Sequence, residues 1–240
     1  MRKTLFIGLI CGLLFIAAGC NNLVSGVSGD VQNEPILIKK DRAKELDVEL
    51  NVGAGELNVS KGAKDWIEGS INYNKDKLKP IVKYDYSNDK GEVVIKQKNL
   101  KFPQIKNVKN EWNIELSKKI PMKLSVNTGA SMAKLDLRDL KLKQLNIQAG
   151  VSQLEVDLGG EWKESFTTTI ETGVGETTVI LPSKVGVKIT SQKGIGEINM
   201  ENFISKGNGV YVNAAYDNAD VILNVNMEMG VGSVTFKLDN

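Results

Sequence analysis

The side chains best able to do chemistry in this chain are carboxylates. Asp136, Asp139, Glu155 and Asp157 lie near one another, and Glu155 and Asp157 project to one side of an alternating segment, opposite Leu154 and Val156. Two acids so placed could act as general acid and nucleophile in a polysaccharide-cleaving enzyme. Lys134, Arg138, Lys141 and Lys143 share the stretch, however, and alternating charges of this kind make an ordinary solvated strand face. Glu56, Glu176 and Glu197 recur at one position of a repeat, which marks them as a repeat feature and not a catalytic acid. The repeat turns carry one acid at most, too few for a calcium site. The chain contains no histidine, so it lacks the usual general base at neutral pH and the commonest nitrogen ligand for metals. Ser-His-Asp and Cys-His arrangements are impossible. The Gly-x-Gly runs lack the Lys-Ser or Lys-Thr of a phosphate loop, and they enter strands where a dinucleotide fingerprint opens a helix. No enzyme, cofactor or metal site is expected.

The N-terminus carries a different kind of chemistry. Met1-Arg2-Lys3, the apolar run from Leu5 to Ala18 and the exit Gly19-Cys20 have the layout of a secretory signal peptide. The run is short for a spanning helix, which needs roughly twenty residues. Phe15-Ile16-Ala17-Ala18-Gly19-Cys20 resembles the lipobox of bacterial lipoproteins, with Ala17 where Leu is preferred. The resemblance implies cleavage before Cys20 and attachment of lipid to its thiol, so that residues 1–19 are a signal peptide and the chain is held to a membrane outside the cytoplasm. An ordinary secreted protein and an uncleaved anchor helix are the alternatives. Lys plus Arg number 31 against 29 Asp plus Glu, and without Arg2 and Lys3 the two are equal. That balance gives no basic footprint for nucleic acid. Cys11 falls inside the signal segment, so no disulfide is expected and packing must hold the fold.

The rest of the chain is organised by a glycine repeat. Gly53-Ala54-Gly55 returns as Gly129-Ala130-Ser131, Gly150-Val151-Ser152, Gly173-Val174-Gly175, Gly194-Ile195-Gly196 and Gly230-Val231-Gly232. Apolar residues stand five and three positions before the first glycine (Val48 and Leu50, Leu124 and Val126, Leu145 and Ile147) and four and six after it (Leu57 and Val59, Leu154 and Val156, Val234 and Phe236). Period-two alternation means one buried face per strand. The spacing predicts strand, tight glycine turn and second strand, with Gly53, Gly55, Gly129, Gly150, Gly173, Gly175, Gly194, Gly196, Gly230 and Gly232 forming the turns. Origins at 129, 150, 173 and 194 lie 21, 23 and 21 residues apart, a solenoid period. Units this small must stack to bury their apolar faces. The fold class is therefore all-β, a single-chain β-solenoid.

Three stretches depart from the rhythm. Residues 20–35 are polar and glycine-containing and read as a flexible tether. Residues 61–122 read as an irregular insert into the 36–240 domain, holding strand-like runs at Asp65–Ile71, Ile81–Tyr86, Glu92–Lys96 and Trp112–Leu116. Its Lys98, Lys101, Lys106 and Lys109 surround Phe102 and Pro103, which could meet an anionic surface or simply be solvated. Asn199–Asn218 is a second excursion with a turn at Lys206-Gly207-Asn208-Gly209. The last copy ends the chain and is expected to form a terminal rung with one uncovered edge. The threonines between Thr167 and Thr178 suit strands, and they do not extend through the other copies as an ice- or sugar-binding rank would.

Glu49-Leu50-Asn51-Val52-Gly53-Ala54-Gly55-Glu56-Leu57, then Trp112-Asn113-Ile114-Glu115-Leu116 leading into Asn127-Thr128-Gly129-Ala130, then Lys134-Leu135-Asp136-Leu137 with Leu145-Asn146-Ile147-Gln148-Ala149-Gly150, resemble as an ordered set the bacterial toast-rack family. That family is related to cell-wall-active-antibiotic response proteins. The resemblance implies an all-β stack associated with the bacterial envelope and supplies no catalytic residues. Antibiotic-response relatives are multi-pass proteins that restrain a sensor kinase, whereas this chain has a lipobox in place of multiple membrane helices. The expected role is a non-enzymatic binding or scaffolding module. Its expected partners are the membrane, through the lipid, and an envelope protein or wall polymer. A stress-signalling component is the alternative.

Overall fold

A computed structural model describes residues 30–97 and 108–239. In chain order the strands are β1 (Gln32–Ile38), β2 (Glu45–Lys61), β3 (Ile67–Tyr73), β4 (Pro80–Ser87), β5 (Lys90–Gln97), β6 (Asn110–Leu116), β7 (Pro121–Asp136), β8 (Lys141–Asp157), β9 (Phe166–Leu181), β10 (Gly186–Met200), β11 (Ile204–Gly207), β12 (Val210–Val212) and β13 (Ile222–Leu238). All belong to one hydrogen-bonded sheet. The architecture is all-β and solenoid-like.

The six glycine repeats are the six long strands β2, β7, β8, β9, β10 and β13, stacked parallel and in register. Each repeat is one continuous strand through its glycine, not two strands joined by a turn. What changes at the glycine is the phase of burial. Val52 and Leu57 are both buried although an odd number of positions separates them, so the strand switches faces there and its two arms share one core. The apolar positions before the glycine (Val48, Leu50, Leu124, Val126, Leu145, Ile147) and those after it (Leu57, Val59, Leu135, Val156, Phe236) belong to a single buried cluster. Fully burying one such side chain stabilises by about 1.5–3 kcal/mol.

Stacking explains the glycines themselves. A Cβ on Gly173 would stand 2.5 Å from the carbonyl oxygen of Gly150 in the preceding rung, too close for any side chain. Gly175 has φ +140°, and a Cβ there would run into the backbone of Ser152. The row of Gly53, Gly129, Gly150, Gly173, Gly194 and Gly230 is glycine in all six rungs, which lets the bend stack there at backbone contact distance.

The order of the rungs is β2-β7-β8-β9-β13-β10. The last copy in sequence is thus not the terminal rung. β13 runs between β9 and β10, with Val225 paired to Thr168 on one side and to Ile189 on the other. The residues give the reason. The buried row of β13 is Leu223, Val225, Met227, Met229, Val234 and Phe236, apolar enough to be covered on both sides. β10 has Ser191 and Lys193 in the same two positions where β13 has Met227 and Met229, and this more polar rung takes the end.

Within the stretch 61–122 the described residues form four strands, β3 to β6, which break the rhythm of long rungs yet pair into the sheet. β5 pairs in parallel with the first arm of β2 (Glu45–Asn51) and β6 with the second arm (Glu56–Lys61). Together they form one more rung, split at the bend. β4 makes a hairpin with β5 through Asn88 and Asp89, both at positive φ, the left-handed conformation that a two-residue hairpin turn requires. β3 and β1 extend the β6 side antiparallel. β1 begins at Gln32, so the last residues of the expected tether are strand. At the opposite end β12 pairs with Lys188–Thr190 of β10, and β11 pairs with β12. Beyond Ser191, whose N–H donates to the Gly209 carbonyl at 2.9 Å, the outer edge of β10 has no strand partner among the described residues.

Candidate binding groove

The acids singled out above are placed by the β7–β8 corner, and each meets a cation. Arg138 grips Asp136 with two bonds, Nε to Oδ1 at 2.8 Å and Nη2 to Oδ2 at 2.7 Å, and also reaches Asp157 Oδ2 at 3.3 Å. Lys61 binds Asp139 at 2.7 Å and Lys134 binds Glu155 at 3.1 Å. Hydrogen bonding to Arg138 holds the Asp136 carboxyl below the usual carboxylate range, and Lys61 does the same for Asp139. A general acid needs the opposite shift. Glu56, Glu176 and Glu197 share one register row, but Met132 and Gln153 separate the first two and Ser233 the last two. They do not converge. Thr168, Thr172 and Thr177 are buried while Thr167 is exposed, so the threonines split between two faces.

The glycines lead to a different feature. Gly53, Gly129, Gly150, Gly173, Gly230 and Gly194 line a groove of about 1100 Å³ that crosses all six long strands. Its polar wall is the row two residues before each glycine: Asn51, Asn127, Gln148, Glu171, Glu228 and Gln192 in stack order. At one strand spacing of about 4.8 Å per rung the row runs about 24 Å. Asn127 Nδ2 donates to Asn51 Oδ1 at 2.7 Å, and Asn51 Nδ2 donates to Glu49 Oε1 at 2.6 Å. Further along, Gln148 Nε2 donates to Glu171 Oε2 at 3.0 Å. Glu171 and Glu228 then stand side by side on paired strands. Among the described residues no lysine or arginine forms an ion pair with either. On the other side of the glycine line, Val151, Val174, Val231 and Ile195 form an in-register row with exposures of 59%, 47%, 44% and 74%.

The groove stops at β2, where the corner is closed by side chains. Gln97 Oε1 accepts the Gly53 N–H at 3.1 Å, and Gln97 Nε2 donates to the Leu78 carbonyl at 3.2 Å. Asn110 Nδ2 donates to the Ala54 carbonyl, while Asn110 Oδ1 accepts the indole N–H of Trp112 at 3.0 Å. These amides supply what a backbone rung would supply elsewhere, because the split rung is interrupted here.

Of the residues picked from the sequence, the first-position glycines are brought together along the groove. Gly55, Gly175, Gly196 and Gly232 stand two positions further along their strands, at φ between +129° and +142°, in a register row shared with Ser131 and Ser152. Cys20 and the lysines at 98, 101 and 106, with Phe102 and Pro103, lie outside the described residues. Sequence reasoning missed the groove wall, although its signal was present: the position two before the glycine is Asn, Gln or Glu in all six copies.

An all-β stack of bent parallel rungs with a glycine-floored groove defines a class of binding or scaffolding module. The chain belongs to the toast-rack family: the family model described as the N-terminal domain of toast_rack, DUF2154, matches residues 27–180. That span ends at the end of β9. A crystal structure of a candidate cell-adhesion protein from Clostridium sporogenes is 35% identical, covers 88% of this chain and all of its own, and superposes with a TM-score of 0.85. A candidate adhesin from Bacteroides fragilis covers 88% of this chain and 97% of its own at 12% identity, with a TM-score of 0.31. No curated protein matches the chain.

Proposed function

We propose that this chain is an extracytoplasmic lipoprotein, anchored through Cys20, that holds an extended polymer of the cell envelope in the groove between β2 and β10. The observation that carries the reading is the wall of six aligned polar side chains over a bare glycine floor. A polymer can lie against that floor without displacing side chains, while amides at a regular spacing take its polar groups one rung at a time. The uncompensated neighbours Glu171 and Glu228 favour an occupant bearing amines, because a cation there relieves their mutual repulsion. A wall polymer with amine substituents has this chemistry. The adhesion role given to the Clostridium sporogenes relative is of the same kind. No helix among the described residues is long and apolar enough to cross a membrane.

The test is retention of isolated wall polymer by the full chain in detergent, compared with a Glu171→Gln/Glu228→Gln double variant. Loss of roughly tenfold in affinity, about 1.4 kcal/mol, supports the groove; equal retention rejects it. A Cys20→Ala variant that still fractionates with membranes rejects the anchor. Capture of a sensor kinase in place of wall material would favour the stress-signalling alternative.

A further inference from the structure

The last rung carries a residue its ladder position does not predict. One position before the glycine, the rungs hold Val52, Thr128, Ala149, Thr172 and Met229, all buried. The sixth member, paired with Met229, is Lys193, and it is exposed. β10 is also the rung whose outer edge is open from Gln192 to Met200, next to Ile195 at 74% exposure. An edge of unpaired N–H and C=O groups beside an exposed isoleucine is a template for pairing with another chain. Lys193 Nζ donates to the Gly196 carbonyl at 3.2 Å, so a charged head lies across the open stretch.

We propose that Lys193 is an autoinhibitory guard that keeps the β10 edge from pairing with a second copy of this chain. The occupant it excludes is a second copy presenting the same edge. The other open edges among the described strands belong to β1, β4 and β11, short strands in antiparallel pairs, so none of them offers the edge of a long parallel rung for head-to-tail growth. An isologous contact, β10 to β10, joins two copies of the same rung edge, and it closes at two chains. For such a contact the lysine must leave the Gly196 carbonyl, and two ammonium groups must approach along one edge. Lysine on an edge strand is a device proteins use against this event. The neighbouring rung supplies the test residue, because Met229 fills the same position where the edge is covered.

Light scattering of the full chain in detergent, with the detergent mass subtracted, reads the result. Wild type is expected at the mass of one chain, Lys193→Met at the mass of two, and Lys193→Arg at one. Lys193→Met/Ile195→Lys returns a charge to the edge at an exposed site and is expected to restore the single-chain mass. A Lys193→Met chain that stays at one mass overturns the proposal, as does a wild type already at two. Association that survives in the double variant, or that accompanies loss of the β-sheet circular dichroism signal, also overturns it, since the association would then not run through this edge.

Discussion

The two ends of the stack solve the same problem in different ways. Every rung offers a row of backbone groups to the next, and the first and last rungs must dispose of theirs. At the β2 end the long rung itself is covered along both arms. β5 and β6 pair with the two arms, and Gln97 and Asn110 take the Gly53 N–H and the Ala54 carbonyl where the split rung has a gap. Both amides are buried, at 6% and 3% exposure. At the β10 end β12 covers three residues, and past Ser191 one lysine contact is the only bond across the edge among the described residues. The difference shows how a solenoid divides its labour. One end is sealed by buried amides that only this geometry satisfies, and the other is left open and protected by charge.

Truncation in the core should separate the ends most sharply. Trp112, fully buried under the covered corner with its N–H bonded to Asn110, should lose about 3–5 kcal/mol of stability on Trp112→Ala. Ile195→Ala, at the open end, should stay within about 0.5 kcal/mol. Chemical denaturation measures both, and comparable losses would erase the distinction. A smaller contrast concerns glycine. Gly175→Ala forces a Cβ into the Ser152 backbone in the middle of the stack, whereas Gly207 has φ +87° and open space around its missing Cβ. Gly207→Ala should cost only the left-handed strain, about 1–2 kcal/mol, and Gly175→Ala should cost clearly more in thermal unfolding. Asn110→Ala comes next. It leaves the Ala54 carbonyl and the Trp112 indole N–H without their partner, a loss of about 1–3 kcal/mol, while Lys193→Ala should change stability by less than about 0.5 kcal/mol.

The smallest effect is expected from pH. Glu45 is held below its ordinary range first by its hydrogen bond to Lys143, Asp136 by Arg138 and Asp139 by Lys61. A carboxylate depressed in the folded state contributes stability that is present above its unfolded pKa, near 4.5 for Glu45 and 3.8 for the aspartates, and is lost as pH falls through the folded value. The melting temperature should therefore hold level from about pH 8 to about pH 5 and decline below that. No histidine is present to add a step near neutrality. The pairs are partly exposed, so each contributes less than about 1 kcal/mol. A melting temperature that rises on acidification would contradict the assignment.

Much of this molecule could be read from residue spacing, because alternation and glycine recurrence report local geometry. The inward rows at Val48 and Leu50 and at Leu57 and Val59 were legible at once, and so were the strands around Trp112 and Tyr84. Three things were not. Whether a glycine ends a strand or bends it depends on the rung beneath, and Gly173 shows that only through its distance to Gly150. Rung order depends on which copy is covered on both sides; Ser191 and Lys193 against Met227 and Met229 carried that information, but only as a comparison between copies. The split rung was hidden because β5 and β6 lie apart in sequence and meet only along β2. The groove wall was visible as six polar residues two before the glycine, yet its shared face became evident only once the strands stood in register.

Native-state hydrogen exchange across the two ends is the most direct measurement. The account predicts slow exchange, near the global unfolding limit, for the amides paired along Leu57–Val59 and Trp112–Ile114. It predicts exchange faster by orders of magnitude on the second arm of β10, from Glu197 to Met200, where one side of the strand is open. Uniform protection at both ends would show that the β10 edge is covered in solution and would contradict the account.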